Sequence, residues 1–189
     1  MAVTILEDII DGVLQETGFD QDDIAMVVHL VDMDGIYVTY NKIAINRGRS
    51  EIYYSQSEIE VRNRGHKDDI EKRNRKRSNG VNDLIKTSII KNIPYRILYF
   101  SRDLEHVIHD DIDAGQGWVS NVKCQKADEF SNGFNTTKEF IEFFDNPDFR
   151  VPGDYDETWI HVKMDIHSLE RWSNFHLVFE MILDDISKK

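Results

Sequence analysis

The sequence predicts an α/β fold in which a central, partly parallel sheet is flanked by helices, and three observations carry that expectation. Residues 25–31 and 95–100 are near-continuous apolar runs, the pattern of strands buried on both faces. Helical spacing of apolar residues fills the sequence before, between and after them. Both runs stop at carboxylates, Asp32 and Asp34 after the first and Asp103 and Glu105 after the second, at the strand end where open α/β sheets place their ligand sites. At 189 residues the chain is long enough for one buried core, and a split would leave two small units. One domain over residues 1–189 is expected.

The elements follow in order. Residues 3–16 read as a helix capped by Thr4, with Ile5, Ile9, Ile10, Val13 and Leu14 along one face and Gly18 ending it. The strand over 25–31 follows and leads to Asp32 and Asp34. Residues 36–40 and 52–54 are β-branched and aromatic enough for short extended pieces, with loop between them. Residues 66–91 read as mostly helical, broken into two helices by Ser78, Asn79 and Gly80, the second burying Val81, Leu84 and Ile85. Pro94 introduces the core strand Tyr95 to Phe100. After it, Leu104, Val107 and Ile108 have helical spacing, which turns Glu105, His106 and His109 away from the apolar stripe or toward its edge. Residues 123–145 form an amphipathic helical region in two pieces around Gly133 to Asn135, stopped by Asn146 and Pro147. Residues 158–164 fit a short strand or a helix start. Ser168 is expected to cap a closing helix over about 169–186, with Leu169, Trp172, Phe175, Phe179, Ile182 and Leu183 sealing the core.

Composition narrows the class. A hydrophobic share of 40% with 11% aromatics is globular, which sets aside disorder and fibrous repeats. No stretch reaches the roughly 18 apolar residues of a membrane span, and the start lacks the basic-then-apolar pattern of a signal peptide. A soluble, cytoplasmic protein without membrane contact is the expectation. The single cysteine, Cys124, excludes an internal disulfide and a thiolate cluster within one chain. Net charge is −12, yet residues 62–91 carry ten Lys or Arg against four acids, so this stretch is +6 and the remainder −18. A basic patch on an acidic protein steers a polyanion to one place. A solvated helix face with i, i+4 pairs, Asp68 with Lys72 and Asp69 with Arg73, explains the same charges.

The chemistry-bearing residues lie at the strand ends. Asp32 and Asp34, two apart and followed by Gly35, can share a divalent ion with water and a phosphate, the glycine letting the chain turn away. Asp-x-Asp-Gly is equally turn chemistry, since Asp caps its own backbone and Gly accepts positive φ. His106 and His109, three apart, have a metal reading and a plain helix reading. The aromatic residues of the C-terminal part read as packing rather than as a platform for bases.

The strand ending Val31-Asp32-Met33-Asp34-Gly35, followed after a helical insertion by Tyr99-Phe100-Ser101-Arg102-Asp103-Leu104-Glu105-His106-Val107, resembles TOPRIM-related proteins of the RloB and overcoming-lysogeny nuclease type, which are associated with bacterial and phage defence. The resemblance covers about residues 25–110. It implies a TOPRIM-like fold, Mg²⁺ or Mn²⁺ on Asp32 and Asp34, and a phosphoryl-transfer role for a further acid, here Glu105. The Glu-Gly that ends the first strand in that superfamily has no counterpart in this chain, which leaves cleavage an open question. The function expected is metal-dependent engagement of nucleic-acid phosphates, with or without phosphodiester cleavage. Arg73, Arg75, Lys76 and Arg77 would hold the backbone electrostatically. The alternative is a noncatalytic acidic interaction protein, a defence or phage accessory factor or a nucleic-acid mimic, whose acidic surface meets a protein partner.

Overall fold

β1 (Val27–Asp32) and β6 (Ile93–Phe100) lie side by side and parallel, in register from Val27 opposite Tyr95 to Asp32 opposite Phe100. The computed structural model in which they are seen describes residues 2–187, with side chains as far as Ile182. β6 is apolar over almost its whole length because it is buried almost throughout, Tyr95, Ile97, Leu98 and Tyr99 all at 0% exposure. The short β5 (Ile89–Ile90) closes the other side of its first residues as an antiparallel hairpin. Its two-residue turn, Lys91 and Asn92, has both residues at positive φ, the geometry that matches strand twist.

The α/β class is as expected, but there is no single central sheet. The described residues hold seven α-helices and two small mixed sheets, each of three strands: β1-β6-β5, and a second built from β2 (Ile43–Ile45), β4 (Ile59–Val61) and β3 (Tyr53–Tyr54) in the order β2-β4-β3. In each sheet one neighbouring pair is parallel and one antiparallel. Strands of two or three residues are too short for alternation to show, which is why only residues 52–54 were legible in the second sheet.

α1 (Ala2–Thr17) forms as the spacing predicts, and Gly18 ends it with φ +72°. Its buried side is Val3, Leu6, Ile10 and Leu14; Ile5, Ile9 and Val13 of the expected face are about half exposed. Thr4 lies inside the helix and is not its cap. α2 (Arg64–Ile85) is continuous, against the expected break at residues 78–80. It inserts Ile70 into the core of the second sheet and Leu84 into the core of the first. A 22-residue helix of roughly 33 Å reaches both. The breaker signals lose because a Cβ on Gly80 would touch nothing within 4 Å, so the only cost is the propensity of an open glycine. Neither Asp68–Lys72 nor Asp69–Arg73 forms an ion pair among the described residues; Asp68 instead accepts from the Tyr40 hydroxyl at 2.9 Å. Residues 36–40 form no strand. Asp34 and Gly35 at positive φ start a turn, and Ile36 and Val38 plug the two cores.

α3 (Leu104–His109) follows β6 directly, with Asp103 accepting from the His106 N–H at 2.7 Å as its cap. α4 (Ser120–Ser131) and α5 (Thr137–Phe144) are the two pieces expected around Gly133 to Asn135. They pack Phe130, Phe140 and Phe144 with Phe100, Phe149 and Phe175 in an aromatic cluster of mostly edge-to-face contacts, packing as expected. α6 (Tyr155–Val162) settles residues 158–164 as helical for most of their length, started by the reciprocal Asp154 and Glu157 capping box. α7 is shorter than expected, Leu177–Ser187, and Ser168 caps nothing; it is fully buried. Residues 168–174 cannot be helical because they serve β6: the Tyr99 N–H donates to Asn174 Oδ1 at 2.7 Å, the Ser173 hydroxyl donates to the Tyr99 carbonyl, and the Ser101 N–H donates to the Trp172 carbonyl. Ile182 is about half exposed rather than sealing the core, and Leu183 lies outside the described side chains.

Candidate functional site

The parallel register of β1 and β6 brings both predicted carboxylate groups to one end of the sheet. Asp32 is the last residue of β1, and its Oδ1 accepts the Leu104 N–H of α3 at 3.0 Å, joining the two strand ends. Asp34 sits in the turn at φ +48°, a conformation that Asp tolerates better than most residues, and Gly35 follows at φ +65°. The turn is pinned by α2: Arg73 donates to the Asp34 carbonyl at 2.8 Å and buried Asn74 to the Gly35 carbonyl at 3.1 Å. The Asp34 carboxylate pairs with Arg77 at 2.5 Å. Asp-x-Asp-Gly therefore is turn chemistry here, and it also aims two carboxyl groups at the sheet edge.

The four acids differ in what already holds them. Asp103 is committed, one oxygen to the His106 N–H and the other to the Arg102 guanidinium at 2.9 Å. Glu105 pairs with Lys123 of α4 at 2.8 Å. Asp32 alone of the four has no cationic partner among the described residues. Burial of its carboxyl, then the charges of Asp103 and Glu105, push it up to about 6, against the pull of the Leu104 N–H; Asp34 adds a smaller push. The residue as a whole is exposed at the sheet edge, so water screens this crowding; the upward direction stands and its energetic weight is modest. Asp103 is also raised by burial, with Arg102 and the His106 N–H pulling it back.

Arg102 is a residue that sequence reasoning passed over. It is fully buried at the end of β6, and besides Asp103 it donates to the Ala114 carbonyl at 3.1 Å and to the Ile112 carbonyl. Gln116 fastens the same loop to β3, exchanging hydrogen bonds with the Tyr54 N–H and carbonyl at 2.9 and 3.1 Å. A cleft of about 580 Å³ opens between this loop and residues 48–54, with Asp34 and Asp103 in its floor and Arg49 and Lys123 in its walls. A second of about 360 Å³, lined by His29, Asp32, Asp34 and Arg77, adjoins it at Asp34. A cation directly before an Asp cap, at the end of a buried strand, was the available signal for Arg102. Lys123 and Arg49 gave none.

The basic cluster of α2 does not act as one patch. Arg73 is spent on Asp34, Asn74 and the Tyr54 hydroxyl, and Arg77 on Asp34. Arg75 and Lys76 are exposed, Arg75 turned roughly 200° around the helix from Arg73. His106 is buried, which leaves the edge of the apolar stripe rather than the face away from it, and burial pushes it down to about 4, with the Arg102 and Arg171 charges adding. His109 lies beside the Trp118 ring. Among the described residues no set of three or more His, Cys, Asp or Glu side chains converges as a ready metal cage. Nor is any helix there long and apolar enough to cross a membrane. Compared with protein-family models, with curated proteins and with solved structures, the chain gives no match in any of the three.

Proposed function

We propose that this chain is a cytoplasmic, TOPRIM-like protein of a bacterial or phage defence system that engages nucleic-acid phosphates through Mg²⁺ or Mn²⁺. Asp32 and Asp34 would hold the ion, and Glu105 would complete its shell or act as base. One observation supports the reading: Asp32, at the end of the parallel strand pair and oriented by the Leu104 N–H, has no cationic partner among the described residues, although Asp34, Asp103 and Glu105 stand at the same sheet end. Hard carboxylate oxygens suit either ion, and two carboxylates with water and phosphate make a sufficient shell. The donor type suits the ion, and since Asp34 is paired with Arg77 and Glu105 with Lys123, both pairs half exposed on the cationic side, a bound ion would have to displace these cations. Asp103 is no ligand, being held by Arg102 and its own helix.

A bound divalent ion would supply Lewis-acid polarisation of a phosphate oxygen and a more acidic water. The chain's own part is positional. Arg73 and Asn74 fix the turn that presents Asp34, and the Leu104 N–H orients Asp32; Glu105, if it serves as base, would accept a proton from water, a step that contributes typically 10²–10⁴-fold. Arg75 and Lys76, free on the outer face of α2, would meet the nucleic-acid backbone; Arg73 and Arg77 serve the site from within.

The test is thermal unfolding with and without millimolar Mn²⁺ or Mg²⁺, on the native chain and on Asp32→Asn/Asp34→Asn. Ion at a hundredfold excess over its Kd stabilises by about 2.7 kcal/mol, a rise of about 5–11 °C in a domain this size. The rise should vanish in the double variant. No rise in the native chain refutes the reading and favours the noncatalytic interaction protein, which the ready-made pairs Arg77–Asp34 and Lys123–Glu105 support.

A further inference from the structure

We propose that the free edge of β1 is a self-association surface, where two copies of this chain pair β1 with β1 antiparallel about a two-fold axis at His29 and join their three-stranded sheets into one of six strands. The inference goes beyond the metal reading of the strand ends and does not depend on it.

β1 stands at the outside of the order β1-β6-β5, so β6 covers one of its flanks and, among the described residues, no strand covers the other. No main-chain hydrogen bond there joins residues 25–31 to any segment but β6. The Met33 N–H donates to the Phe100 carbonyl, and the alternation of a parallel ladder then turns the main chain of Val31, His29 and Val27 toward β6. The N–H and C=O groups of Val28 and Leu30 are left pointing outward, a row that an extended chain satisfies. Folded proteins blunt such an edge with lysine, proline, a bulge or an inward charge. Val27–Val31 has none of these, its register with β6 is unbroken, and Leu30 is 45% exposed.

The strand's own sequence names the occupant. A two-fold contact needs a surface complementary to itself. Val27-Val28-His29-Leu30-Val31 reads nearly the same in both directions, so an antiparallel copy centred on His29 sets Val27 opposite Val31, Val28 opposite Leu30 and His29 opposite His29. Apolar residues then meet apolar residues across the junction. Val28 and Leu30 exchange both main-chain bonds, and His29 falls in the closely approaching pair between them. Moving the axis to Leu30 would set Asp32 opposite Val28, and moving it to Val28 would set His29 opposite Val27. Residues 24–31 hold no Asp, Glu, Lys or Arg, so a chain of net charge −12 brings no like charges together along this edge. A junction of two short strands lies at the small end of interface sizes, which sets a weak dimer with a dissociation constant of about 10–100 µM.

The test is sedimentation velocity from about 1 to about 300 µM protein, a range that brackets the expected constant, with EDTA present so that divalent ions play no part. The native chain should pass from monomer to dimer. Leu30→Lys, a charge on an exposed edge position, should stay monomeric throughout while its circular dichroism and thermal midpoint match the native chain. Register is read by disulfide trapping after Cys124, the exposed cysteine, is changed to serine. Under mild oxidant His29→Cys should link into a covalent dimer, because the two residues of a closely approaching pair stand about 4.5 Å apart at Cα, within disulfide reach. Leu30→Cys faces Val28 of the second copy and lies about 9 Å from its own counterpart, so it should stay unlinked when His29→Cys is half linked. If Leu30→Lys lowers the midpoint, the two cysteine variants decide alone. A native chain that is monomeric at every concentration overturns the proposal, whatever the metal measurement gives. A dimer that a folded Leu30→Lys leaves intact, or Leu30→Cys linking as fast as His29→Cys, overturns it as well, since the contact then lies elsewhere or in another register.

Discussion

Replacing Arg102 by methionine should destabilise the protein by about 3–4 kcal/mol, and the structure says where the loss arises. The guanidinium is fully buried and answers Asp103, of which 17% of the side chain is exposed. Removing one partner of a buried pair costs about 3–5 kcal/mol because the other charge is left uncompensated. The partial exposure of Asp103 puts its share at the low end. The Ala114 carbonyl also loses its donor, roughly 1–3 kcal/mol for a buried acceptor, while the Ile112 and Tyr54 carbonyls keep Gln116. Methionine burial restores part of the sum. For a chain of this length the midpoint should fall by about 6–16 °C. The assay is urea and thermal unfolding, with amide exchange over residues 111–117, which should lose protection first. Asp103→Asn with Arg102→Met should cost clearly less than the two single changes added. A loss below about 1 kcal/mol, or strict additivity, would refute the idea that this pair organises the cleft.

Three further outcomes follow from the same geometry. Gly35→Ala should destabilise by about 2–4 kcal/mol, since its Cβ would lie 2.5 Å from Leu169 Cδ2 at φ +65°, whereas Gly80→Ala on the open side of α2 should stabilise by about 0.5–1 kcal/mol; denaturant midpoints decide both, and equal effects would contradict the packing. Asp32 holds its proton more tightly folded than unfolded, so its contribution is full below its ordinary 3.8 and is lost as pH rises through about 6. Without divalent ions Asp32→Asn should therefore gain about 1 kcal/mol over the native chain at pH 7.5, after allowance for solvent screening, and little at pH 4; a pH-independent offset would exclude the crowding. Arg75→Gln with Lys76→Gln should leave stability unchanged and lower the salt slope of nucleic-acid binding by about 1–2, measured by fluorescence titration at several salt concentrations; an unaltered slope removes both residues from the interface.

What could be read from the sequence was what depends on neighbours in the chain. The runs that became β1 and β6, the glycine end of α1 and the break at Gly133 all carry their cause within a few residues. The failures lie where distant partners decide. α2 runs through Ser78, Asn79 and Gly80 because Ile70 and Leu84 must reach two separate cores. The expected C-terminal helix loses its first half because Trp172, Ser173 and Asn174 are drawn into main-chain pairing with β6. At the site, Asp32, Asp34, Asp103 and Glu105 lie at the one sheet end that the strand-end argument names, without converging as a metal cage among the described residues. Their cations were not legible: Arg73 and Arg77 were read as a nucleic-acid patch and turn out to fasten Asp34, and Lys123, which pairs with Glu105, comes from a helix with no local mark of that contact.

The pairing of Asn174 with Tyr99 has a consequence for how the chain is made. β6 is the most apolar extended segment of the molecule, the kind that stacks with its own copies when left open. One flank is covered by β1, which is synthesised earlier. The other flank near Tyr99 is closed by a side-chain amide 75 residues further on. A growing chain therefore carries a half-covered strand until residue 174 has emerged, and any truncation before that point exposes a sticky edge that the finished protein never shows.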